Sequence, residues 1–111
     1  MAGKKDKIKD KDRFSILVPS LDRCFFCGST YRLSIHEVFN GTANRKKSKE
    51  DGMTLPLCGS CHENVHSNSD LDLKLKQRAE KIWIEEYAKD LESEDDKINL
   101  FIRRYGKNYL W

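Results

Sequence analysis

The sequence predicts a small α+β fold, in which a β-hairpin and a short helix are held by a four-cysteine zinc site and followed by two C-terminal helices. Three observations lead to this prediction: two Cys-x-x-Cys pairs, two strand-like segments between them, and helical periodicity over the second half of the chain. The length of 111 residues suits one domain. Because 38% of the residues are hydrophobic and 35% are charged, we expect a bound metal to supplement a small core.

The predicted domain covers residues 14–111, with a core at 24–66 that carries the chemistry and a helical extension at 69–111. Residues 1–13 contain six Lys or Arg and three Asp. This composition predicts a disordered, net-positive arm that either solubilises the chain or touches DNA.

The charge balance excludes a uniformly basic protein. The formal net charge is +3, from 21 basic and 18 acidic residues, so any nucleic-acid contact must come from local clusters. No apolar run approaches the roughly 18 residues of a membrane span, and residues 1–13 lack the hydrophobic stretch of a secretory signal. We therefore expect a cytoplasmic protein without a membrane partner.

The first half of the predicted domain contains the hairpin. Residues 14–18 are apolar and form either a packing strand or an extended clip across the core. Residues 32–39 alternate and predict a strand, and residues 42–52 are polar and predict a loop. Residues 53–57 predict a second strand, which Pro56 places at an edge of the sheet.

The second half is helical. A short helix is expected after Cys58 and ends near residues 67–69. A longer amphipathic helix should start after Ser69 or Asp70 and run to about Leu91, with an apolar face that packs in the core. A last helix, capped by Ser93, should end at Gly106.

The four cysteines form two Cys-x-x-Cys pairs with 30 residues between them, namely Cys24 with Cys27 and Cys58 with Cys61. A reducing cytosol disfavours disulfides, and two such knuckles complete a tetrahedral site of four thiolates. We therefore predict a structural zinc ion. The alternatives are a redox-active Cys-x-x-Cys and unpaired core cysteines.

All three histidines lie in the same 43-residue segment as the cysteines. His62 and His66 are four residues apart on the predicted helix, a spacing that can chelate one ion. The strand that carries His36 should face this helix. The alternative is a pair of surface histidines without a ligand role.

Three stretches, CFFCGS, IHEVFNGTANRKKS and DGMTLPLCGSCHENVH, resemble the HNH endonucleases of the His-Me finger superfamily, in their four-cysteine phage-type subgroup. The resemblance spans residues 24–66. It implies a ββα-metal core with one catalytic divalent cation, a separate knuckle zinc, and hydrolysis of DNA phosphodiester bonds by nicking or double-strand cleavage. It also implies a phage-encoded protein acting on DNA inside a bacterial host, beside a phage packaging or recombination complex.

The resemblance assigns roles to the histidines. Either His36 is the general base, with Glu37 or water completing the metal shell, or His36 is a ligand and Glu37 the base. We favour His36 as the base because imidazole titrates near neutral pH. His62 is the first expected ligand and His66 the second, for Mg²⁺, Mn²⁺, Ni²⁺ or Zn²⁺.

The sequence departs from the family pattern nine positions before His62, where many members have Asn and this chain has Met53. Asn44 is the predicted substitute, which would orient the histidine or brace the loop, unless it is an ordinary loop residue. The adjacent basic residues either bind phosphate oxygens or form a solvated loop; they are Arg45, Lys46, Lys47 and Lys49.

The sequence departs from the family pattern at Glu37 as well, where His36-Glu37 stands in place of an Asp-His or His-His pair. The departures at Glu37 and Met53 leave a rival function open, a zinc-stabilised DNA-binding module without catalysis. A redox protein is a third hypothesis, which requires an accessible thiolate of low pKa.

Overall fold

The computed structural model describes residues 14–110 and has a small α+β fold. Its elements are β1 (Ser34–Glu37), α1 (Asn44–Asp51), β2 (Thr54–Leu57), α2 (Gly59–Ser67), α3 (Ser69–Tyr87) and α4 (Glu94–Tyr105). The basic arm predicted at residues 1–13 lies outside the described residues.

β1 and β2 form an antiparallel two-stranded sheet in which His36 lies opposite Leu55 and Ile35 opposite Pro56. Both strands therefore lie at an edge of the sheet, as Pro56 indicated for the second strand. Both are shorter than the predicted strands at residues 32–39 and 53–57. All four residues of β2 are buried. The backbone N–H of Phe25 donates to the Pro56 carbonyl at 2.8 Å, so the first cysteine knuckle covers the outer side of β2.

The prediction of a loop at residues 42–52 is wrong, because this segment contains α1. The helix has no apolar stripe and is held by polar contacts. Buried Ser48 accepts a hydrogen bond from the Phe39 N–H at 3.1 Å and donates to the Phe39 carbonyl at 2.7 Å. Gly52 ends the helix with a φ of 76°, which glycine adopts without a steric penalty.

Residues 14–18 take the second of their two predicted roles, since they cross the hairpin as a clip and form no strand. The Ile16 N–H donates to the Gly52 carbonyl at 2.9 Å. Thr54 and the clip exchange two further bonds, from Ser15 Oγ to the Thr54 carbonyl and from Thr54 Oγ1 to the Phe14 carbonyl. A Cβ on Gly52 would lie 3.0 Å from the Ile16 nitrogen, so the clip needs glycine there.

The helical half follows the prediction, except that α3 ends at Tyr87 and not near Leu91. Leu91 follows the helix and is half-buried against the core. Ser93 caps α4 by accepting the Asp96 N–H at 3.4 Å, and Gly106 ends it with a φ of 89°. Local capping signals thus set both ends of α4.

The buried core joins the hairpin to α3 and α4. Phe39, which follows β1, contacts the rings of Phe101, Tyr105 and Tyr109 with centroid distances of 5.1, 4.5 and 5.6 Å. Val65 anchors α2 to the same core and is 2% exposed. The packing leaves the cysteines and histidines on the side of the hairpin where α2 lies.

Candidate metal centre and histidine cluster

The two Cys-x-x-Cys pairs converge, as the spacing predicted. The four sulfur atoms all lie within 4.8 Å of one another, and Cys27 Sγ is 3.6 Å from Cys58 Sγ. A tetrahedral ion with bonds of about 2.3 Å would separate its sulfur ligands by about 3.8 Å. The cysteines are free thiols, so the arrangement fits a metal ion such as zinc and not a pair of disulfides.

Each knuckle is built by local backbone geometry. In the first, the Gly28 N–H donates to the Cys24 carbonyl at 3.0 Å and Gly28 has a φ of 77°, which favours glycine at this turn. In the second, Cys58 is the N-cap residue of α2 and Cys61 lies in its first turn. The two turns meet because the first one is hydrogen-bonded to β2, which leads directly into Cys58.

The thiols influence one another electrostatically. Burial opposes ionisation of Cys24, but backbone N–H groups of Cys27 and Cys58 bring its pKa down to about 6. Burial and the neighbouring thiols raise the pKa of Cys61. One thiol therefore ionises readily, and its negative charge disfavours ionisation of a second thiol. A cation among the four sulfurs would offset this repulsion between thiolates.

The three histidines lie side by side. Ring centroids are separated by 4.6 Å between His62 and His66, 5.4 Å between His36 and His62, and 6.1 Å between His36 and His66. The Nε2 atoms of His62 and His66 are 3.2 Å apart. Two nitrogen ligands of one ion at about 2.1 Å lie roughly 3.0 to 3.4 Å apart, so this pair fits a shared ion.

His36 is the buried member of this histidine cluster. It is 3% exposed, and its Nε2 has no hydrogen-bond partner within residues 14–110. Burial, reinforced by the charge of His62, lowers the pKa of His36 to about 4. The ring is therefore neutral at physiological pH, and its unpaired nitrogen is available to a proton or to an ion.

Glu37 lies at the edge of the histidine cluster. Its Oε2 is 4.0 Å from Lys49 Nζ, and its side chain is 19% exposed. Burial and His66 lower the pKa of His62, whereas the charge of Glu37 opposes this shift. Glu37 thus acts on the cluster through space.

Asn44, predicted to orient the histidine, to brace the loop or to be an ordinary loop residue, lies at the start of α1 and braces this helix against α4. Its Nδ2 donates to the Tyr105 carbonyl at 3.1 Å, which ties the start of α1 to the end of α4. It makes no hydrogen bond to a histidine in the part of the chain that the structure describes. Met53 is fully buried in the core, so neither position places an amide at the cluster.

The four basic residues of α1 differ in their surroundings. Arg45, Lys46 and Lys49 are exposed. Lys47 is half-buried, and its Nζ donates to the Arg104 carbonyl at 2.9 Å. Three of the four predicted phosphate-binding side chains therefore face solvent, whereas Lys47 fixes α1 to α4.

Sequence reasoning did not identify Asp51, which joins three helices at the end of α1. Its Oδ2 accepts hydrogen bonds from Trp83 Nε1 and Tyr105 Oη, both at 2.8 Å. Arg104 binds both carboxylate oxygens at 2.9 and 3.0 Å. These partners lie 32 to 54 residues away in sequence, so no local pattern predicts the contacts.

A partly buried ion pair on α3 was also not predicted. Lys76 is 7% exposed and its Nζ donates to Asp72 Oδ2, one turn earlier on α3. The charge of Asp72 raises the pKa of His36 and that of Lys76 lowers it. α3 thus supplies two charges with opposite effects on the pKa of His36, of which that of Asp72 is the larger.

Comparison of the chain with protein-family models, curated proteins and solved structures gives no match. No helix within residues 14–110 combines the length and apolarity that a membrane crossing requires.

Proposed function

We propose that this protein is a metal-dependent DNA endonuclease. The observation that carries the proposal is the convergence of His36, His62 and His66. The buried Nε2 of His36 has no partner within residues 14–110 and lies beside the close His62–His66 pair. A nitrogen without a partner in a buried site is costly, so this arrangement suggests a function that uses it. The resemblance to HNH endonucleases supports the same activity.

In this proposal, His62 and His66 hold the catalytic ion through their Nε2 atoms, and α2 sets their separation. A divalent ion bound there would stabilise negative charge on the scissile phosphate and the leaving oxygen. Cys61 directly precedes His62 in the first turn of α2. A metal ion bound by the cysteines would therefore also hold the start of α2 in place.

His36 takes the proton of the attacking water through Nε2. Burial keeps the imidazole neutral, which is the state that can accept a proton, but it also lowers the pKa of His36 to about 4, below the near-neutral value on which the choice of His36 as the base depends. The alternative, in which His36 is a third ligand and Glu37 the base, is favoured by this low pKa and by one further observation. The Glu37 side chain is 19% exposed and therefore more accessible to water than His36, which is 3% exposed.

The exposed side chains of α1 bind the DNA backbone. Arg45, Lys46 and Lys49 lie on a helix inserted between the two strands of the hairpin, so they sit next to the element that carries His36. Contacts of this type supply affinity without choosing a sequence. A bacterial cytoplasm and a phage packaging or recombination complex remain part of the proposal on the basis of the resemblance alone.

The test is nicking of supercoiled plasmid by the zinc-loaded protein with added Mg²⁺, Mn²⁺ or Ni²⁺. We expect relaxed or linear products that depend on the added ion, and none from the same preparation without it. Asn64→Ala is a matched control, because Asn64 is exposed and lies about half a turn of α2 from His62. It should retain wild-type activity.

The rival function, a DNA-binding module without catalysis, is favoured by the bracing position of Asn44 and the burial of Met53. Neither residue assists His36. Tight DNA binding by fully zinc-loaded protein, with no nicking under any of the three ions, would establish this rival and overturn the endonuclease.

A further inference from the structure

Arg32 has an unusual backbone conformation just before β1. Its φ of 53° makes it the one non-glycine residue with a positive φ among residues 14–110. Side chains with a Cβ rarely occupy this region, and glycine occupies it freely. At this position arginine stabilises the fold less than glycine would. The presence of arginine therefore suggests a role for its side chain other than stability.

The side chain of Arg32 lies against an exposed aromatic ring. Its guanidinium carbon is 5.3 Å from the centroid of the Tyr31 ring. Tyr31 is 66% exposed, more than any other large hydrophobic residue described. Contact with a ring restrains a guanidinium while leaving N–H groups free for an acceptor.

Arg32 has no acidic partner within residues 14–110, where the ion pairs involve other basic residues. Arg104 provides the contrast, since it binds both oxygens of Asp51 and also Glu50 Oε1 at 3.0 Å. Arg104 therefore stabilises the fold, whereas the charge of Arg32 is available to a ligand.

Tyr31 and Arg32 lie close in sequence to the histidine cluster. Arg32 precedes His36 by four residues and leads into the strand that carries it. At about 3.3 Å per residue, the two Cα atoms are separated by at most about 13 Å. This distance corresponds to roughly four base pairs along a duplex.

We propose that Tyr31 and Arg32 form a phosphate-binding contact for duplex DNA, within a few base pairs of the phosphate at the histidine cluster. The guanidinium fork binds phosphate oxygens, and the Tyr31 ring holds the fork in place. This inference rests on the proposed function, because it assumes that DNA lies across the cluster.

The test is Arg32→Gly, since glycine suits the backbone at this position. We expect the melting temperature to stay the same or rise. Affinity for a 20-base-pair duplex of arbitrary sequence, measured by fluorescence anisotropy without added divalent ions, should fall about tenfold at low salt. The slope of log affinity against log salt should fall by about one.

Two further variants accompany it. Arg32→Asn removes the charge with a residue that also tolerates a positive φ, so it should reproduce the losses of affinity and slope. Lys89→Ala removes an exposed charge in the turn after α3 and should change neither.

The outcomes separate the two proposals. If the wild type binds the duplex and nicks plasmid, and both Arg32 variants bind the duplex equally well with an unchanged slope, the Tyr31–Arg32 contact is overturned while the endonuclease stands. If the wild type neither binds the duplex nor nicks plasmid, the proposed function is overturned, and this inference with it.

Discussion

The cysteine cluster and the histidine cluster are neighbours on α2, yet they are built differently. Four thiols meet from two tight turns and form a complete set of ligands for one ion. The three imidazoles come from β1 and α2, and the buried Nε2 of His36 has no hydrogen-bond partner in the described part of the chain. Closed four-ligand sites stabilise folds, whereas sites that lack a ligand keep a position for water or substrate. The difference fits a structural metal site at the cysteine cluster and agrees with the chemistry that we propose for the histidine cluster.

The two clusters also depend on different parts of the fold. The cysteine cluster needs only the first knuckle, β2 and the start of α2. The histidine cluster also needs the pairing of β1 with β2, which aligns His36 opposite Leu55, and the packing of α3 behind it. Loss of the cysteine cluster should therefore disrupt the histidine cluster, whereas loss of the histidine cluster should leave the cysteine cluster intact.

The largest expected effect comes from breaking the cysteine cluster. Cys58→Ser should lose the metal and most of the folded population, because structural zinc contributes about 10 to 16 kcal/mol in small zinc domains. Metal content by mass spectrometry and thermal unfolding by circular dichroism would measure both losses. Ser60→Ala, an exposed change in the same turn, should affect neither; a Cys58→Ser protein with full zinc and native stability would contradict the four-thiolate site.

The next effect comes from the histidine cluster. His36→Ala should lower nicking by about 10² to 10⁴ while folding and zinc content persist, because it removes the base and leaves the ligands. Initial rates of plasmid nicking, compared at equal zinc occupancy, are the measurement.

His62→Ala is the matched comparison for this prediction. It should weaken binding of the added ion, so excess metal should partly restore the rate, which it should not do for His36→Ala. Loss of ion binding by His36→Ala would instead assign His36 as a ligand and Glu37 as the base. Loss of zinc in either variant would show that the clusters are not independent.

The smallest effect concerns α1, beside the histidine cluster. Arg45→Gln should lower the slope of log DNA affinity against log salt by about one, because it removes one exposed phosphate contact. Lys47→Met should leave this slope unchanged and cost about 1 kcal/mol of stability, since Lys47 donates to the Arg104 carbonyl. Salt titrations of DNA binding and chemical denaturation distinguish the two, and an unchanged slope for Arg45→Gln would make α1 a solvated surface.

The sequence by itself determined the features that depend on neighbours in the chain. Two-residue spacing brings the thiols of each pair to one ion, and Ser93 and Gly106 cap α4 through contacts within one turn. Four-residue spacing placed His62 and His66 on one side of α2. These features need only backbone geometry, so they could be predicted without the fold.

Only the tertiary structure decided the rest. α1 lacks apolar periodicity and is stabilised by Ser48, Lys47 and Asp51, whose partners lie between 9 and 57 residues away. The burial of His36, whose Nε2 has no partner among the described residues, follows from packing between the hairpin, α2 and α3. The same packing bound Asn44 to Tyr105 and left Arg32 without an acidic partner among residues 14–110. Such contacts depend on which distant surfaces meet, and no local spacing encodes that choice.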